Sequence, residues 1–380
     1  MGGWQQQQQR AAVYASPERY VQGPGVMADL GHHMDVVGLE GPVLVLSSPS
    51  VRNMLEATWK ETLEKAGYRD HVIVTFAREC STKVIDSLVE EAQRRGCKTI
   101  VAVGGGKNID TGKVVASKTG MAMVSCPTIA STDAPCSALA VVYTDNGEFQ
   151  EYVFPKRHPS LVLVDTSVIC KAPPRLLVGG LGDALATWFE ARTVREAHSQ
   201  NFLGGVPTLT GTALAELCYK TLIQDGAAAV RSVEAQVVTP ALERIVEANT
   251  LLSGLGFECG GLCTAHAVHN GLTVASQTHP YTHGEKVSFG LCTQLWMEGR
   301  PSSEIETVLT WQNAVGLPIT LAEVGLDSGD EDAIRAIAQR TVQKGETVHN
   351  SPFPVTAHMI EENIKAADHI GERFKEKHMI

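Results

Sequence analysis

Four histidines fall within eighteen residues of a largely apolar part of the sequence. "CTAHAVHNGL" carries His266 and His269 three residues apart, on one face of a helix, and "HPYTHGEK" adds two more at 279 and 283. Upstream, "GGLGDALATWFEAR" places Asp183 at or near the start of an apolar helix, where aspartate is also a common N-cap. One carboxylate and two imidazoles can form the three-ligand, open site of a catalytic zinc ion. The spacing leaves open which histidines are ligands and which are buried structural residues.

A second stretch whose residues could take part in chemistry is "VAVGGGKNIDTGK", in which three glycines follow an apolar run and precede a helical segment. Glycine lets backbone N–H groups approach a phosphate closely, and a helix N-terminus favours negative charge. Lys107 could add a cation, and Asp110 lies one turn into the helix. The pattern matches neither the dinucleotide fingerprint nor the P-loop. A phosphate site and a tight structural turn therefore both remain open.

The hydrophobic pattern predicts the strands and helices that would position these two stretches, and it predicts that they alternate along the chain. Between residues 41 and 165, apolar runs typical of buried strands alternate with amphipathic helices, which favours βαβ units and a parallel sheet. Two runs around Asn146-Gly147 predict a β-hairpin. After Pro174 the apolar positions recur at helical spacing. We expect a disordered tail, a Rossmann-like α/β domain and an all-helical metal-binding domain, at residues 1–15, 16–174 and 175–380.

Composition narrows the classes of function. The 380-residue chain has a net charge of −10, which argues against nucleic acid or an anionic membrane as a partner. No apolar run reaches the roughly 18–20 residues that span a bilayer. The nine cysteines are scattered and odd in number, so we expect reduced side chains and a cytoplasmic protein. The glutamine-rich N-terminus lacks the apolar core of a secretory signal.

Longer motifs resemble one enzyme family. The segments "CPTIASTDAPCSALAVVYTDNGEF", "GDALATWFEAR", "VTPALERIVEANTLLSGLGFECGGL", "AHAVHNGL" and "HGEKVSFG" are similar to the glycerol dehydrogenases of the iron-containing alcohol dehydrogenase superfamily. The likeness runs in order from about Ala15 to the C-terminus. It implies the dehydroquinate synthase-like architecture, with a Rossmann-like domain, a helical domain and an active site between them. It also implies NAD as cofactor, a bound metal, glycerol as substrate and a homo-oligomer, with a ring-like octamer as the family's form.

The resemblance also implies roles for individual residues. The metal ligands correspond to Asp183, His266 and His283. The pyrophosphate of the cofactor corresponds to Gly105, Gly106, Lys107 and Asp110, and the rest of the dinucleotide to Thr128, Ser131, Ser137, Leu139 and Tyr143. Asp133 matches a residue beside the polyol, and His269 is a candidate proton relay, with a structural histidine as the alternative.

Two positions depart from the family pattern. Iron-dependent relatives have a histidine four residues after the first aspartate, whereas this chain has Thr187, which favours a three-ligand zinc site. Glycerol dehydrogenases usually end the first strand with an aspartate that binds the adenosine ribose, whereas this chain has Ser48, with Arg52 nearby. A carboxylate disfavours a 2′-phosphate, whereas serine with a nearby arginine could tolerate one. NAD is therefore expected as the cofactor, and NADP stays open.

The expected reaction is the zinc-dependent oxidation of glycerol, or a related vicinal diol, at its secondary hydroxyl, with dihydroxyacetone as product and hydride transfer to NAD. Two related enzymes, a glycerol-phosphate dehydrogenase and a dehydroquinate synthase, share the fold but need side chains for an anionic substrate. "TIASTDAPCSALA" is uncharged apart from Asp133, which argues against them. A non-catalytic binding or assembly protein on this fold is a further alternative, which the presence of all three metal ligands disfavours.

Overall fold

The computed structural model describes residues 11–76, 79–147 and 149–378, and these form eight β-strands and fourteen α-helices. The strands are β1 Arg19–Gly23, β2 Val43–Ser47, β3 His71–Thr75, β4 Thr99–Gly104, β5 Ala122–Pro127, β6 Ala140–Tyr143, β7 Phe149–Val153 and β8 Leu161–Asp165. The helices are α1 Leu30–Val36, α2 Pro49–Lys65, α3 Thr82–Arg94, α4 Gly106–Thr119, α5 Thr166–Ile169, α6 Pro174–Glu196, α7 Leu209–Glu234, α8 Pro240–Glu247, α9 Ser253–Gly260, α10 Thr264–Leu272, α11 His283–Met297, α12 Ser302–Val315, α13 Glu331–Thr341 and α14 Ala357–His378.

Six strands form one parallel sheet in the order β1-β8-β5-β4-β2-β3. The chain winds outward from β2 to β3 and then returns to the other side of β2 with β4. The strand order therefore reverses between β2 and β4. In open α/β sheets, ligands bind at such a switch point, beyond the carboxyl ends of the strands. Here those ends lead into Ser48 and into the three glycines that follow Val103.

The parallel sheet is buried on both faces, as the continuous apolar runs predict. One face packs on α1 and α2 through Val43, Val45 and Trp59, and the other packs on α3 and α4 through residues such as Leu44 and Ile100. The predicted strands and helices of this half are confirmed. The edge strand β1 was missed because its sequence, Arg-Tyr-Val-Gln-Gly, is half-exposed and has no apolar run.

The predicted hairpin is confirmed as the antiparallel pair β6–β7. Its turn contains Gly147, which has a φ of +85° that favours glycine. The register shifts between Val142 and Tyr143, so the hairpin is irregular where it approaches the end of the sheet. A parallel bridge from Ser81 to Tyr143 ties it to the start of α3.

Every element that the structure describes after β8 is helical, as predicted. The segment at 239–256 consists of α8, a π-helical turn at Ala248–Leu252 and the start of α9. No helix among the described residues is both long enough and apolar enough to cross a membrane.

Part of the segment that the sequence predicts as a disordered tail lies among the described residues. Residues 1–10 lie outside the described residues, but residues 11–15 have a defined conformation. The Val13 N–H donates to the carbonyl of Val206, and the thiol of Cys259 donates to the carbonyl of Ala15. The tail prediction is therefore wrong for residues 11–15, because their backbone groups pair with the helical half.

Candidate active site

Three of the predicted side chains converge on one point, which we call the metal centre: Asp183, His266 and His283. Asp183 Oδ1 lies 3.1 Å from His266 Nε2 and 3.2 Å from His283 Nε2, and all three ligand atoms lie within 4.8 Å of one another. Two ligands at about 2.0–2.1 Å from a tetrahedral zinc ion are about 3.3 Å apart. One carboxylate and two imidazoles at these separations fit a divalent metal.

Glycine brings the helices of the metal centre into backbone contact. A Cβ on Gly284 of α11 would lie 1.7 Å from the carbonyl oxygen of Gly179 in α6, and a Cβ on Gly180 would lie 1.9 Å from that of Ala130. Both positions therefore exclude any side chain. This close approach places Asp183 against α11 and against the segment after β5. Asp183 lies well inside α6, so the N-cap alternative is wrong.

His283 is the first residue of α11, and a capping box holds this end of the helix. The Glu285 N–H donates to the Thr282 hydroxyl, and the Thr282 N–H donates to the Glu285 carboxylate. Arg175 of α6 donates to both oxygens of Glu285, at 2.7 and 2.9 Å. The start of α11, and with it His283, is thus fixed relative to α6.

His266 is buried and has a carboxylate on each side. Nε2 faces Asp183, and Nδ1 lies 2.6 Å from Oε2 of Glu190, a completely buried residue two turns further along α6. Burial lowers the pKa of His266, but the charges of Glu190 and Asp183 outweigh it and raise this pKa well above its usual value. Burial raises the pKa of Asp183, but the two imidazoles hold it well below its usual range.

His283 is the more exposed ligand, and a neutral partner lies behind it. Its Nδ1 is 3.0 Å from His269 Nε2, and the Nδ1 atom of His269 is 3.1 Å from Asn270 Oδ1. Burial and the neighbouring His283 lower the pKa of His269 well below its usual value. The fourth histidine of the sequence cluster, His279, is exposed and contacts the Thr273 carbonyl, outside the metal centre.

Asp133 lies beside the metal centre on the segment that follows β5. Its backbone N–H donates to Asp183 Oδ2 at 3.2 Å, and its Oδ2 accepts from Ser253 at 2.9 Å. The hydroxyls of Ser253 and Thr187 are 2.8 Å apart, so Thr187 donates towards Ser253 rather than serving as a ligand. Oδ1 of Asp133 has no hydrogen-bond partner among the described residues. Burial and the charge of Asp183 raise the pKa of Asp133 well above its usual range.

The residues Gly104 to Lys107, which we call the cofactor turn, join β4 to α4. Gly105 occupies the N-cap position, and no side chain among the described residues caps the first turn of α4. The first N–H groups of α4 are therefore available to an anion. A Cβ on Gly105 would lie 2.8 Å from Cδ1 of Ile129, so the turn also packs tightly on the segment after β5. Lys107 contacts Glu79 at 2.6 Å and lies over the ring of Tyr143.

The Asp110 carboxylate is bonded within the protein, to the hairpin and to Lys113. Its Oδ2 accepts the Val141 N–H at 3.1 Å, and its Oδ1 lies 3.5 Å from Lys113 Nζ. The buried Lys113 ammonium donates to the carbonyls of Ala134 and Leu139, at 2.6 and 2.7 Å, and to the hydroxyl of Ser137 at 3.2 Å. Asp110, Ser137 and Leu139 thus belong to a buried network that holds the segment 133–141 against α4.

The remaining predicted cofactor residues lie at the carboxyl edge of the sheet. The Thr128 N–H donates to the Gly104 carbonyl, and Ser131 follows it, half-buried. Ser48 caps α2 by accepting the Val51 N–H at 3.4 Å. Arg52, one turn further, is paired with Glu56 at 2.6 Å.

Comparisons with known proteins place this site in a family. Residues 17–166 match the family model of the iron-containing alcohol dehydrogenases. A glycerol dehydrogenase from Pseudomonas putida is 46% identical over 361 residues, which cover 95% of this chain and 98% of that protein. The chain belongs to the iron-containing alcohol dehydrogenase family. A glycolaldehyde reductase from Halobacterium salinarum is 43% identical over 96% of this chain and 100% of its own length.

Structural similarity extends over both halves of this iron-containing alcohol dehydrogenase family member. The crystal structure of glycerol dehydrogenase from Schizosaccharomyces pombe matches with a TM-score of 0.92 and 34% identity, over 97% of this chain and 93% of that one. The parallel sheet with helices in the first half and the helical second half are therefore the fold of the family.

Sequence reasoning missed several buried polar residues that organise this family member's site: Lys113, Glu190, Asn249 and Ser253. Asn249 donates to the carbonyl of Ala130 at 3.0 Å. A signal was present for Glu190. It lies seven residues after Asp183 in an apolar helix, so both carboxylates project from one face. The others are recognisable only once distant segments are packed together.

Proposed function

We propose that the protein is a zinc-dependent dehydrogenase that oxidises glycerol and related vicinal diols at the secondary hydroxyl and passes the hydride to NAD. The observation that carries this proposal is the convergence of Asp183, His266 and His283 beside Asp133. The oxidoreductase family of the chain and its similarity to glycerol dehydrogenases over nearly its whole length support the same reaction.

The metal centre and Asp133 would bind neighbouring hydroxyl groups of the substrate. Asp183, His266 and His283 would hold zinc. When bound, zinc supplies Lewis-acid polarisation of a hydroxyl oxygen, and NAD supplies the acceptor for the hydride. Ser253 orients the Asp133 carboxylate, whose Oδ1 is free to accept a hydrogen bond from a neighbouring hydroxyl of the polyol. A simple alcohol would offer that carboxylate oxygen no hydroxyl to bind, which is a basis for selecting diols.

Zinc is favoured over iron by Thr187. This side chain lies one turn after Asp183, is completely buried and bonds to Ser253, so three protein ligands face the metal position among the described residues. A three-ligand site with an open position is typical of catalytic zinc. Metal-free protein reloaded with Zn²⁺ or with Fe²⁺ under anaerobic conditions tests this choice, and a higher rate with Fe²⁺ would contradict it.

The cofactor turn would bind the pyrophosphate of NAD through the N–H groups of Gly105, Gly106 and Lys107. Its position at the strand-order reversal and the uncapped start of α4 support this role. Thr128, Ser131 and Tyr143 would line the dinucleotide, whereas Asp110, Ser137 and Leu139 would act through the buried network around Lys113. Ser48 leaves the end of β2 without a carboxylate, so NADP should be tolerated as a weaker alternative.

His269 is proposed to carry a proton away from the metal centre. Its Nε2 lies 3.0 Å from His283 Nδ1, so it is placed to exchange a proton with that ring, and the Asn270 side chain holds its other nitrogen at 3.1 Å. We expect His269→Phe to lower kcat more than KM and to change the pH profile of kcat. An unchanged pH profile would leave His269 as a packing residue.

Assembly is proposed as a homo-oligomer, with an octamer as the form that the family resemblance implies. Leu209 and Leu217 lie two turns apart on α7 with exposures of 82% and 50%, which supports a covered surface there. Light scattering on the purified protein measures the mass of the assembly, and a monomer would contradict the proposal. The division into domains at residues 174/175 and the cytoplasmic location stay predictions.

The principal experiment follows NAD reduction spectrophotometrically with glycerol, before chelation, after chelation and after the return of zinc. Chelation should remove the activity and zinc should restore it. An activity that survives complete metal removal would contradict the metal centre, and no activity with any diol would contradict the reaction.

Reduction of glycolaldehyde is a second candidate function. The glycolaldehyde reductase from Halobacterium salinarum matches this chain over the whole of that protein's length, at an identity similar to that of the glycerol dehydrogenases. The same zinc-loaded protein, assayed with glycolaldehyde and NADH, separates the two. A kcat/KM that exceeds the value for dihydroxyacetone under the same conditions would favour the second candidate.

A further inference from the structure

The buried carboxylate behind His266 has no part in the chemistry described so far. Glu190 is completely buried in α6, and its two oxygens have different partners. Oε1 accepts two backbone N–H groups at the start of α10, from Cys263 at 2.8 Å and from His266 at 3.0 Å. Oε2 lies 2.6 Å from His266 Nδ1. Glu190 thus caps α10 and contacts the imidazole at the same time.

The donors around Glu190 determine where the proton of His266 lies. Backbone N–H groups can only donate, and an ionised carboxylate can only accept. The hydrogen bond between Oε2 and Nδ1 therefore needs a proton on Nδ1. In a neutral imidazole this leaves the lone pair on Nε2, which is the atom that faces Asp183 Oδ1 at 3.1 Å.

We propose that Glu190 is a positioning residue that fixes the tautomer and the orientation of His266, so that the lone pair of Nε2 points at the metal. The inference rests on the proposed metal centre. A carboxylate that holds the second nitrogen of a ligand imidazole is a general means of raising metal affinity. Here the same carboxylate is itself held by two backbone groups, so it cannot turn away from the ring.

Glu190→Gln tests this proposal with almost no change of shape. The two backbone N–H groups require the amide oxygen at the Oε1 position, so the amide NH₂ must face Nδ1. Nδ1 then has to accept, and the neutral ring carries its proton on Nε2, where the metal should bind. We expect zinc affinity, measured by competition with a chromophoric chelator, to fall about 10–100-fold. The absorption spectrum of the Co²⁺-loaded protein should change with it.

Glu258→Gln is the matched control. Glu258 is also buried, accepts the Ala138 N–H and lies 2.7 Å from Nε2 of His158, which is not a metal ligand. Its substitution removes the same charge from a similar environment. Because the two sites are separate, we expect zinc affinity to stay within about twofold of wild type.

Glu190→Asp separates tautomer control from packing. Aspartate is shorter, but it can only accept, so the proton stays on Nδ1. We expect Glu190→Asp to bind zinc more tightly than Glu190→Gln, although glutamine matches the shape of glutamate better. The melting temperature of each metal-free variant is measured alongside, so that a folding defect is seen separately.

A Glu190→Gln protein that binds zinc as tightly as wild type, or more tightly than Glu190→Asp, would overturn the role of Glu190 and leave the metal centre intact. A wild-type protein that binds neither Zn²⁺ nor Co²⁺ would overturn the metal centre itself, and this inference with it.

Discussion

The cofactor turn and the metal centre bind their proposed ligands by different means. At the cofactor turn the chain offers backbone N–H groups at the uncapped start of α4, and glycine at 105 and 106 lets the turn pack closely on Ile129 and Thr132. At the metal centre it offers three side chains, each held by a further buried polar group. The first kind of site depends on local backbone shape, whereas the second depends on long-range packing among α6, α10 and α11.

The comparison predicts the largest effect for the removal of a ligand side chain. In His266→Ala the metal centre loses one of three ligands, and several kcal/mol of transition-state stabilisation should be lost with the metal. We expect kcat/KM for glycerol to fall about 10³-fold or more, with zinc content lost in parallel.

His279→Ala is the control for this substitution. His279 comes from the same histidine-rich stretch but is exposed and contacts only a backbone carbonyl. Its variant should keep its zinc and its activity. Equal losses in both variants would show that the stretch matters for folding and not for metal binding.

The next effect concerns the buried side chain of Lys113, which holds the segment 133–141 against α4. In Lys113→Met the carbonyls of Ala134 and Leu139 lose their charged donor, and Asp110 keeps a buried charge without its partner. We expect the free energy of unfolding to fall by about 3 kcal/mol, since the breaking of a buried ion pair leaves one charge uncompensated. Denaturant unfolding measures it.

Lys118→Met is the matched substitution on the same helix. Lys118 pairs with Asp86 at 2.8 Å, but both side chains are about half exposed. Surface ion pairs contribute little, so this variant should unfold at nearly the wild-type denaturant concentration. A Lys113→Met protein that is equally stable would mean that the segment 133–141 keeps its place without the ammonium.

Gly106→Ala tests the cofactor turn through backbone access alone. A Cβ there would lie 3.3 Å from the Thr132 hydroxyl, so the protein can accommodate it with a small shift, and alanine favours the helix. The methyl group would however stand where the pyrophosphate is proposed to bind. We expect KM for NAD to rise about tenfold, which is about 1.4 kcal/mol, with no loss of stability.

Gly120→Ala at the other end of α4 should do the opposite. Gly120 has a φ of +77°, so alanine is strained there and should cost about 1 kcal/mol of stability, while KM for NAD stays unchanged. If Gly106→Ala left KM for NAD at its wild-type value, the turn would be structural only.

The contrast also explains how much the sequence could predict. Regular alternation predicted the parallel sheet and the helical second half, because hydrophobic period reports local structure directly. The family motifs predicted Asp183, His266 and His283, whose ligand atoms the fold does bring together. The choice among the histidines could not come from spacing, since His269 and His279 have the same residue type and similar surroundings in the sequence.

The partners of the supporting groups could not be predicted because they are distant in the chain. Glu190 is 76 residues from His266, and Ser253 is 120 residues from Asp133. For Asp110 the family resemblance implied a pyrophosphate contact, which stays a prediction. Its bond to the Val141 N–H could not be predicted, because it depends on how the irregular hairpin packs against α4.

The smallest expected effect concerns the end of β2, where the site uses neither an anion-binding turn nor a metal ligand. Ser48 caps α2, and Arg52 beside it is occupied by Glu56, so neither side chain strongly favours or repels a 2′-phosphate. In Ser48→Asp a carboxylate would keep the cap and add a charge that repels the phosphate of NADP and can accept from the ribose hydroxyls of NAD. We expect the ratio of kcat/KM for NAD over NADP to rise by about five- to tenfold, an effect of about 1–1.4 kcal/mol typical of one exposed charge.

Ser48→Asn is the uncharged control and should leave the ratio near wild type, because it caps the helix without a charge. An equal shift in both variants would assign the preference to the cap, and no shift in Ser48→Asp would place the adenosine ribose elsewhere.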